Sequence, residues 1–411
     1  MFGTFRSLLL PPAGATRTSA RPAAWSLDRN WDRTEGERLL KARNYEGAER
    51  HLSKAAVDAE IKGQSAGKRI HLRLLLAEAQ RKQFHVDSME PNHAKLTAAE
   101  QTLRSAIEIA AHSGDGAAYV QCLDALADVF HDQCNFAAVE KVTQDAMQIE
   151  ASLPHPDALR MARRVHRLGI AQQKSGRLGD AIPVLEKAVA LHEETFGADH
   201  VETANQLTAL GTAHRAHGNH AEAQKCLRRA LKIHERTCGV DSVEALQDLH
   251  HLAGSLEQSG DLEGAAEQYE RALAFKQRMI GSDLNELAEM QFGLAGLYIK
   301  WQNYGRAREL LLESSGTFRR AGGVRLAVSH ETLAHVEECS GRYPNALQEL
   351  EKAGKAWETL KPDRLPELVR NLEHRAELLE MLRKKGEAGW LREKIAHLAP
   401  LLETGNPVPV A

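Results

Sequence analysis

The sequence predicts an all-α solenoid, a stack of about nine antiparallel helix pairs. Three observations carry that prediction. One pattern recurs every 42 residues: Leu168-Gly169, Gly176, Ala181, Leu185 and Ala188 return as Leu210-Gly211, Gly218, Ala223, Leu227 and Ala230. It returns again as Leu252-Ala253, Gly260, Ala265, Tyr269 and Ala272. Turn residues recur in the same phase as the apolar ones. Finally, 43% of the 411 residues are hydrophobic but only 5% are aromatic, so the core must be built from alanine and leucine.

Within a repeat, the Leu-Gly pair lies on a first helix that Gly176 and its equivalents end. Glycine suits that place because helices commonly stop on a left-handed residue. A short polar residue then caps a second helix: Asn219 and Asp261 here, and Asn44, Asn135 and Asn303 in other repeats. The spacing Ala181-x3-Leu185-x2-Ala188 puts small, large and small residues on one helix face, so two backbones can approach around one bulky side chain. At the junctions, Gly197, Gly239 and Gly281 precede Asp199, Asp241 and Asp283, with Glu202, Glu244 and Glu286 three positions further on. Asp115 and Asp157 stand in the same phase. This Asp-x-x-Glu spacing resembles a capping box and predicts that these aspartates start the next first helix.

From the N-terminal end, residues 1–28 read as a basic leader. Arg6, Arg17 and Arg21 stand among Ser, Thr, Ala and Pro, and no acid precedes Asp28. That composition fits a disordered segment or, in a eukaryote, a mitochondrial-type presequence. A tandem array of about eight repeats then spans 29–360. The first repeat carries Gly36, Asn44, Tyr45, Ala48, Leu52 and Ala55. The second has Leu76-Ala77, then Ala99, Leu103 and Ala106 after an insertion at 84–93, a loop that either tolerates length changes or serves binding. The third reads Leu126-Ala127, Phe130, Phe136, Val139 and Ala146. Beyond the three clear repeats, the seventh has Leu294-Ala295, Tyr304, Ala307 and Leu311. The eighth, after a slip of three residues, has Leu333-Ala334, Gly341, Ala346, Leu350 and Ala353. A last pair over 361–402 keeps Ala376 and Ala388 but puts Arg383, Lys384 and Lys385 at its turn, as expected of a cap whose outer face meets water. Residues 403–411 read as a tail.

Leu-Gly, a turn glycine and Ala-x3-(Leu/Tyr)-x2-Ala together resemble the tetratricopeptide repeat. The 42-residue period, with Gly197, Asp199 and His200 at a junction, is similar to kinesin light chain-like repeats. The resemblance covers roughly residues 29–400. It implies an open right-handed superhelix whose first helices line a concave groove, and it implies protein binding. Co-chaperones of this fold hold a carboxylate with Lys and Asn on successive first helices; the matching positions here are His166, Ile170, Ala209, Gln247 and His251, so that clamp is absent. Where kinesin light chains carry an Asn-Asn pair, this chain has Thr208-Ala209 and His250-His251.

The formal net charge of −3 supplies no global field for nucleic acid. No run of 18 apolar residues is present to span a membrane. Five cysteines without a CxxC pair read as reduced thiols in a cytoplasmic compartment, or a mitochondrial one if the leader is a presequence. The chain has no P-loop, GxGxxG or GxSxG, so no catalysis and no cofactor is expected. His214, His217 and His220, with His250-His251, are the candidate metal ligands. No carboxylate or thiol completes that set, and sister repeats hold Leu256 and Leu262, or Tyr298 and Tyr304, in the places of His214 and His220. These histidines are expected to pack. His330-Glu331 with His335 misses the HExxH zinc spacing by one residue.

Binding is the expected work. One turn either side of the Leu-Gly positions, the first helices present Arg163, His166, Gln173 and Lys174, then Asn205, Thr208 and Arg215, then Gln247 and His250. The third repeat presents Gln121, Asp124, Asp128 and His131. Such a row fits a solvated face or a polar trough for a peptide. Arg163, Lys174 and Arg215, placed in one concavity, would attract a protein or peptide with an acidic or C-terminal carboxylate segment, against competition from Asp124, Asp128 and Asp132. The sequence thus predicts a non-catalytic scaffold. The alternative is a bacterial-type peptide-sensing regulator, tightening around a short peptide.

Overall fold

The computed structural model describes residues 31–84, 92–279, 283–360 and 364–404. They form eighteen α-helices in nine pairs, with no strand among them. The basic leader, residues 85–91 of the insertion and residues 405–411 of the tail lie outside the described residues. None of the helices is long and apolar enough to cross a membrane.

The chain divides into two compact bodies, Met1–Pro154 and His155–Ala411. The division falls beside Pro154 and Pro156, where two backbone donors are missing. The N-terminal body contains α1 (Trp31–Lys41), α2 (Tyr45–Ile61), α3 (Ala66–Gln83), α4 (His93–Ser113), α5 (Gly116–Asp132) and α6 (Phe136–Ser152). The C-terminal body begins with α7 (Ala158–Lys174), α8 (Leu178–Phe196), α9 (Val201–His217), α10 (His220–Thr237), α11 (Val243–Gln258) and α12 (Leu262–Arg278). It continues with α13 (Leu284–Lys300), α14 (Tyr304–Ala321), α15 (Gly323–Cys339), α16 (Tyr343–Thr359), α17 (Leu365–Met381) and α18 (Lys385–Thr404). Inside each body every helix packs on the next, and first helices also meet first helices: α3 meets α5, α7 meets α9 and α9 meets α11.

The turn inside each pair explains why glycine is common there without being required. Gly176, Gly218, Gly260 and Gly341 take positive φ, and so do Arg43, Cys134, Gln302 and Arg383 at the same place in other repeats. A left-handed non-glycine residue costs about 1–2 kcal/mol. The next residue's N–H reaches back to the fifth carbonyl before it: Asn135 to Phe130 at 2.8 Å, Asn219 to His214 at 2.9 Å, Asn303 to Tyr298 at 2.8 Å and Lys384 to Leu379 at 2.8 Å. That closure satisfies a carbonyl the helix end would leave open, which offsets the strain. The terminal pair therefore keeps its turn despite losing the glycine. Second helices are capped by Asn44, Asn135, Asp261 and Asn303, whose side chains accept from the third N–H onward. Asn219 makes no such bond.

The capping expectation for first helices holds for Asp115, Asp157 and Asp283 but fails for Asp199 and Asp241. There the helix starts one residue later, leaving the aspartate too far back. His200 Nδ1 accepts from the Glu202 N–H at 3.1 Å, and Ser242 Oγ accepts from the Ala245 N–H at 3.1 Å. The two aspartates instead pair with arginines of the following second helix, Asp199 with Arg236 at 3.0 Å and Asp241 with Arg278.

The Leu-Gly pattern is a steric device. A Cβ added at Gly169 would stand 2.6 Å from Leu185 Cδ2, and one at Gly211 would stand 2.7 Å from Leu227 Cγ. Both leucines are fully buried. Gly211→Ala should therefore cost about 1–3 kcal/mol of stability through overpacking. Gly296→Ala, on a helix position with open space around it, should raise stability by up to about 1 kcal/mol. Urea unfolding of the two variants checks the contrast; equal effects would remove the steric role given to Gly211.

Candidate peptide-binding face

The predicted site residues all fall on α7, α9 and α11 of the C-terminal body, and they form two polar ends joined by a less polar middle. Arg163, Asn205 and Gln247 share one repeat phase, and all three are exposed. His166, Thr208 and His250 share the next, three residues on. Gln173 and Arg215 lie ten residues beyond Arg163 in phase, with Lys174 beside them, so about 15 Å of helix separates the two ends at 1.5 Å per residue. Arg163 therefore stands at one end of this row, and Arg215 and Lys174 at the other. Arg163 sits in the second turn of α7, whereas Arg215 sits in the last turn of α9.

Thr208 of the middle row is committed to the fold. Thr208 Oγ1 donates to Asp248 Oδ1 at 2.6 Å, and His234 Nδ1 donates to Asp248 Oδ2 at 2.6 Å. Asp248 is fully buried and His234 nearly so, so this network ties α9, α10 and α11 together away from solvent. The repeat pattern gave no sign of it, because phase predicts exposure and not partners. His166 is half-buried, and burial pushes its pKa down to about 4, with His192 and Arg167 adding to the effect. It is neutral at pH 7 and brings no charge to the face. His214, one of the suspected metal ligands, is buried and its pKa is lowered chiefly by burial. Among the described residues no three potential ligands gather.

The last row holds the unusual chemistry. Gln173 Nε2 donates to Thr212 Oγ1 at 3.2 Å, linking α7 to α9. Arg215 is half-buried, and its Nε is buried with no hydrogen-bond partner among the described residues. Its guanidinium lies over Gly254 of α11: Nη1 is 3.2 Å, and Tyr269 Oη 3.7 Å, from where a Cβ of Gly254 would be. The Tyr269 ring meets the His250 ring edge-on at 5.7 Å. Burial lowers the pKa of His251, and Arg215 lowers it further; burial raises that of Tyr269. Glu257, in phase with Arg215, is taken by Lys300 at 2.6 Å. Sequence reasoning missed Tyr269 as part of this face. The available signal was a tyrosine where sister repeats hold Leu185 and Leu227, together with a bare glycine at 254.

On the other expected rung, Asp132 is engaged by Arg81 at 3.0 Å within the N-terminal body, because Arg81 of α3 faces the end of α5.

Two stability effects follow. Asp248→Ala leaves His234 and Thr208 without their acceptor and should cost about 3–5 kcal/mol, read as a fall in the unfolding midpoint. His166 works against folding in acid. Unfolded, it takes up its proton near 6.5, whereas folded it does so only near 4; the unfolded state binds more protons between these values, so stability falls as pH is lowered through that window. Thermal melts from pH 7 to 4 should show a shallower decline for His166→Phe than for the wild type; parallel declines would show that other groups set the slope.

Residues 159–236 and 217–278 match the profile of the tetratricopeptide repeat. No curated protein sequence matches the chain. Among solved structures it is similar to BtubC (BKLC) from P. vanneervenii, with 20% identity over 57% of this chain and 92% of that one, at a TM-score of 0.48. It is also similar to the nearly identical TPR-like repeats of a putative kinesin light chain from Podosopora anserina, with 23% identity over 51% of this chain and 99% of that one, at a TM-score of 0.43. A third is the signal transduction ATPase with a tetratricopeptide repeat sensor from Pyrococcus horikoshii, with 14% identity over 93% of this chain and a TM-score of 0.52. The chain spans 54% of that protein's length. At these identities the likeness concerns the fold. The segment 159–278 belongs to the tetratricopeptide repeat family, and outside it the pairs turning at Arg43, Cys134, Gln302, Gly341 and Arg383 close with the same turn.

Proposed function

We propose that this chain is a non-catalytic interaction scaffold that holds a protein or peptide segment along the face shared by α7, α9 and α11, with a carboxylate of that segment on Arg215. The observation that carries this is the half-buried Arg215 guanidinium, which has no acid partner among the described residues. A charge held partly out of water and unpaired costs free energy until a counter-charge arrives. An Arg–carboxylate bond is strong because both groups are charged and the guanidinium offers two parallel donors.

Gly254 supports the same reading by keeping the approach clear of side chain, with Tyr269 Oη close by. Arg163, Asn205 and Gln247 would meet the far part of the ligand. An extended chain covers about 15 Å with four or five residues, so a pentapeptide-length segment bridges the two ends. His166 and His251 stay neutral, so the positive charge of this face comes from Arg163, Lys174 and Arg215.

A fluorescent acidic pentapeptide with a free C-terminus, titrated against the full chain, tests the proposal. Arg215→Gln should weaken binding at least tenfold, and Arg163→Gln should weaken it less. Arg306→Gln, on a second helix, should leave it unchanged. Circular dichroism should show equal helix content in all four proteins. Equal affinity of the wild type and Arg215→Gln would remove the proposal.

A further inference from the structure

The sixth repeat puts a hydroxyl where its neighbours put only hydrocarbon. Tyr269 takes the place that Leu227 and Leu185 hold one and two repeats earlier, and both leucines are fully buried. Packing accounts for a large apolar side chain there and gives no role to a hydroxyl. That hydroxyl comes to Gly254 beside Arg215: one point over the glycine lies 3.7 Å from Tyr269 Oη and 3.2 Å from Arg215 Nη1. The two donors are thus no more than about 7 Å apart, a gap that a carboxylate spans when each of its oxygens accepts one hydrogen bond.

The chain builds this arrangement once with its own acid. Glu270 Oε1 accepts from Tyr298 Oη at 2.8 Å and from Arg306 Nε at 3.1 Å, so a phenol and a guanidinium share one carboxylate. At Tyr269 and Arg215 the same two donors meet, and among the described residues no acid is bonded to either. Burial raises the Tyr269 pKa and Glu257 adds to the effect, but Glu257 is held by Lys300 at 2.6 Å.

We propose that the Tyr269 hydroxyl is the second donor of the carboxylate site, bonding one oxygen of the ligand while Arg215 holds the other. This rests on the function proposed above, which supplies the carboxylate. It makes the site selective against a carboxamide, whose nitrogen cannot accept a hydrogen bond.

The acidic pentapeptide, titrated against two further variants, tests it. Tyr269→Phe keeps the ring and removes only the hydroxyl; Tyr269→Leu restores the residue of the sister repeats. Each should weaken binding about tenfold, the loss of one hydrogen bond to a charged group, with helix content unchanged by circular dichroism. Wild-type affinity in either variant, beside a loss at Arg215→Gln, overturns this inference alone. No loss at Arg215→Gln overturns it together with the function beneath it. The same peptide amidated at its C-terminus locates the carboxylate. If Tyr269→Phe still weakens that probe, the hydroxyl meets a side-chain carboxylate; if wild type and variant bind it equally, it meets the chain end. Both results support the contact, provided the free-acid peptide shows the tenfold loss.

Discussion

Contact between a small residue on a first helix and a large one on its partner sets the geometry on which the rest of the molecule depends. Gly36, Gly169 and Gly211 lie against Leu52, Leu185 and Leu227, closely enough that one added carbon would collide. In the same phase Ala77, Ala295 and Ala334 go with Leu103, Leu311 and Leu350, all at most 2% exposed. This fixes how near the two backbones come, and from that distance follow the tight turn and the direction of the next pair. The sixth repeat departs from the rule in one respect. Tyr269 replaces the leucine, and its hydroxyl reaches the neighbourhood of Gly254 and Arg215. The chemistry of the candidate site thus grows out of a single enlarged residue in the packing contact.

The period was legible because packing demands it. A solenoid core is a set of identical neighbour contacts, and each leaves the same mark in the sequence. The turns were legible by phase more than by residue: Arg43, Cys134, Gln302 and Arg383 look unlike glycine yet take its backbone. The helix starts were less legible. Asp199 and Asp241 stand one residue from the true caps, and a one-residue difference depends on where the first turn closes, which side-chain chemistry alone does not determine. Buried polar pairing was not legible at all. Asp248 occupies a position where the pattern offers only a polar residue, and its acceptance of Thr208 and His234 depends on three helices meeting.

For the site, sequence phase identified the helices and the face, but neither charge states nor partners. Thr208 is consumed by the network beneath it. His166 is neutral because burial penalises its charged form. Arg163 and Arg215 belong to one face but to opposite ends of it. The predicted residues form a row with Arg215 at one end, and Arg215 stands out through its buried, unpartnered Nε and not through its sequence.

Charged groups of successive repeats pair along the stack. On second helices of the C-terminal body, arginines reach acids 36 residues earlier on the preceding second helix: Arg229 to Glu193 at 2.6 Å, Arg271 to Glu235, and Arg306 to Glu270 at 3.1 Å. Each such exposed pair is worth no more than about 1 kcal/mol, but each closes a charge within the chain. On first helices, buried polar atoms without partners recur at His166, Gln206, Arg215 and His251. Second helices carry such atoms too, at Thr143, His220 and His234, and each unpaired buried group costs about 1–3 kcal/mol. At Arg215 the unpaired atom belongs to a full charge, so the proposed carboxylate ligand would offset a larger cost there than at a neutral group.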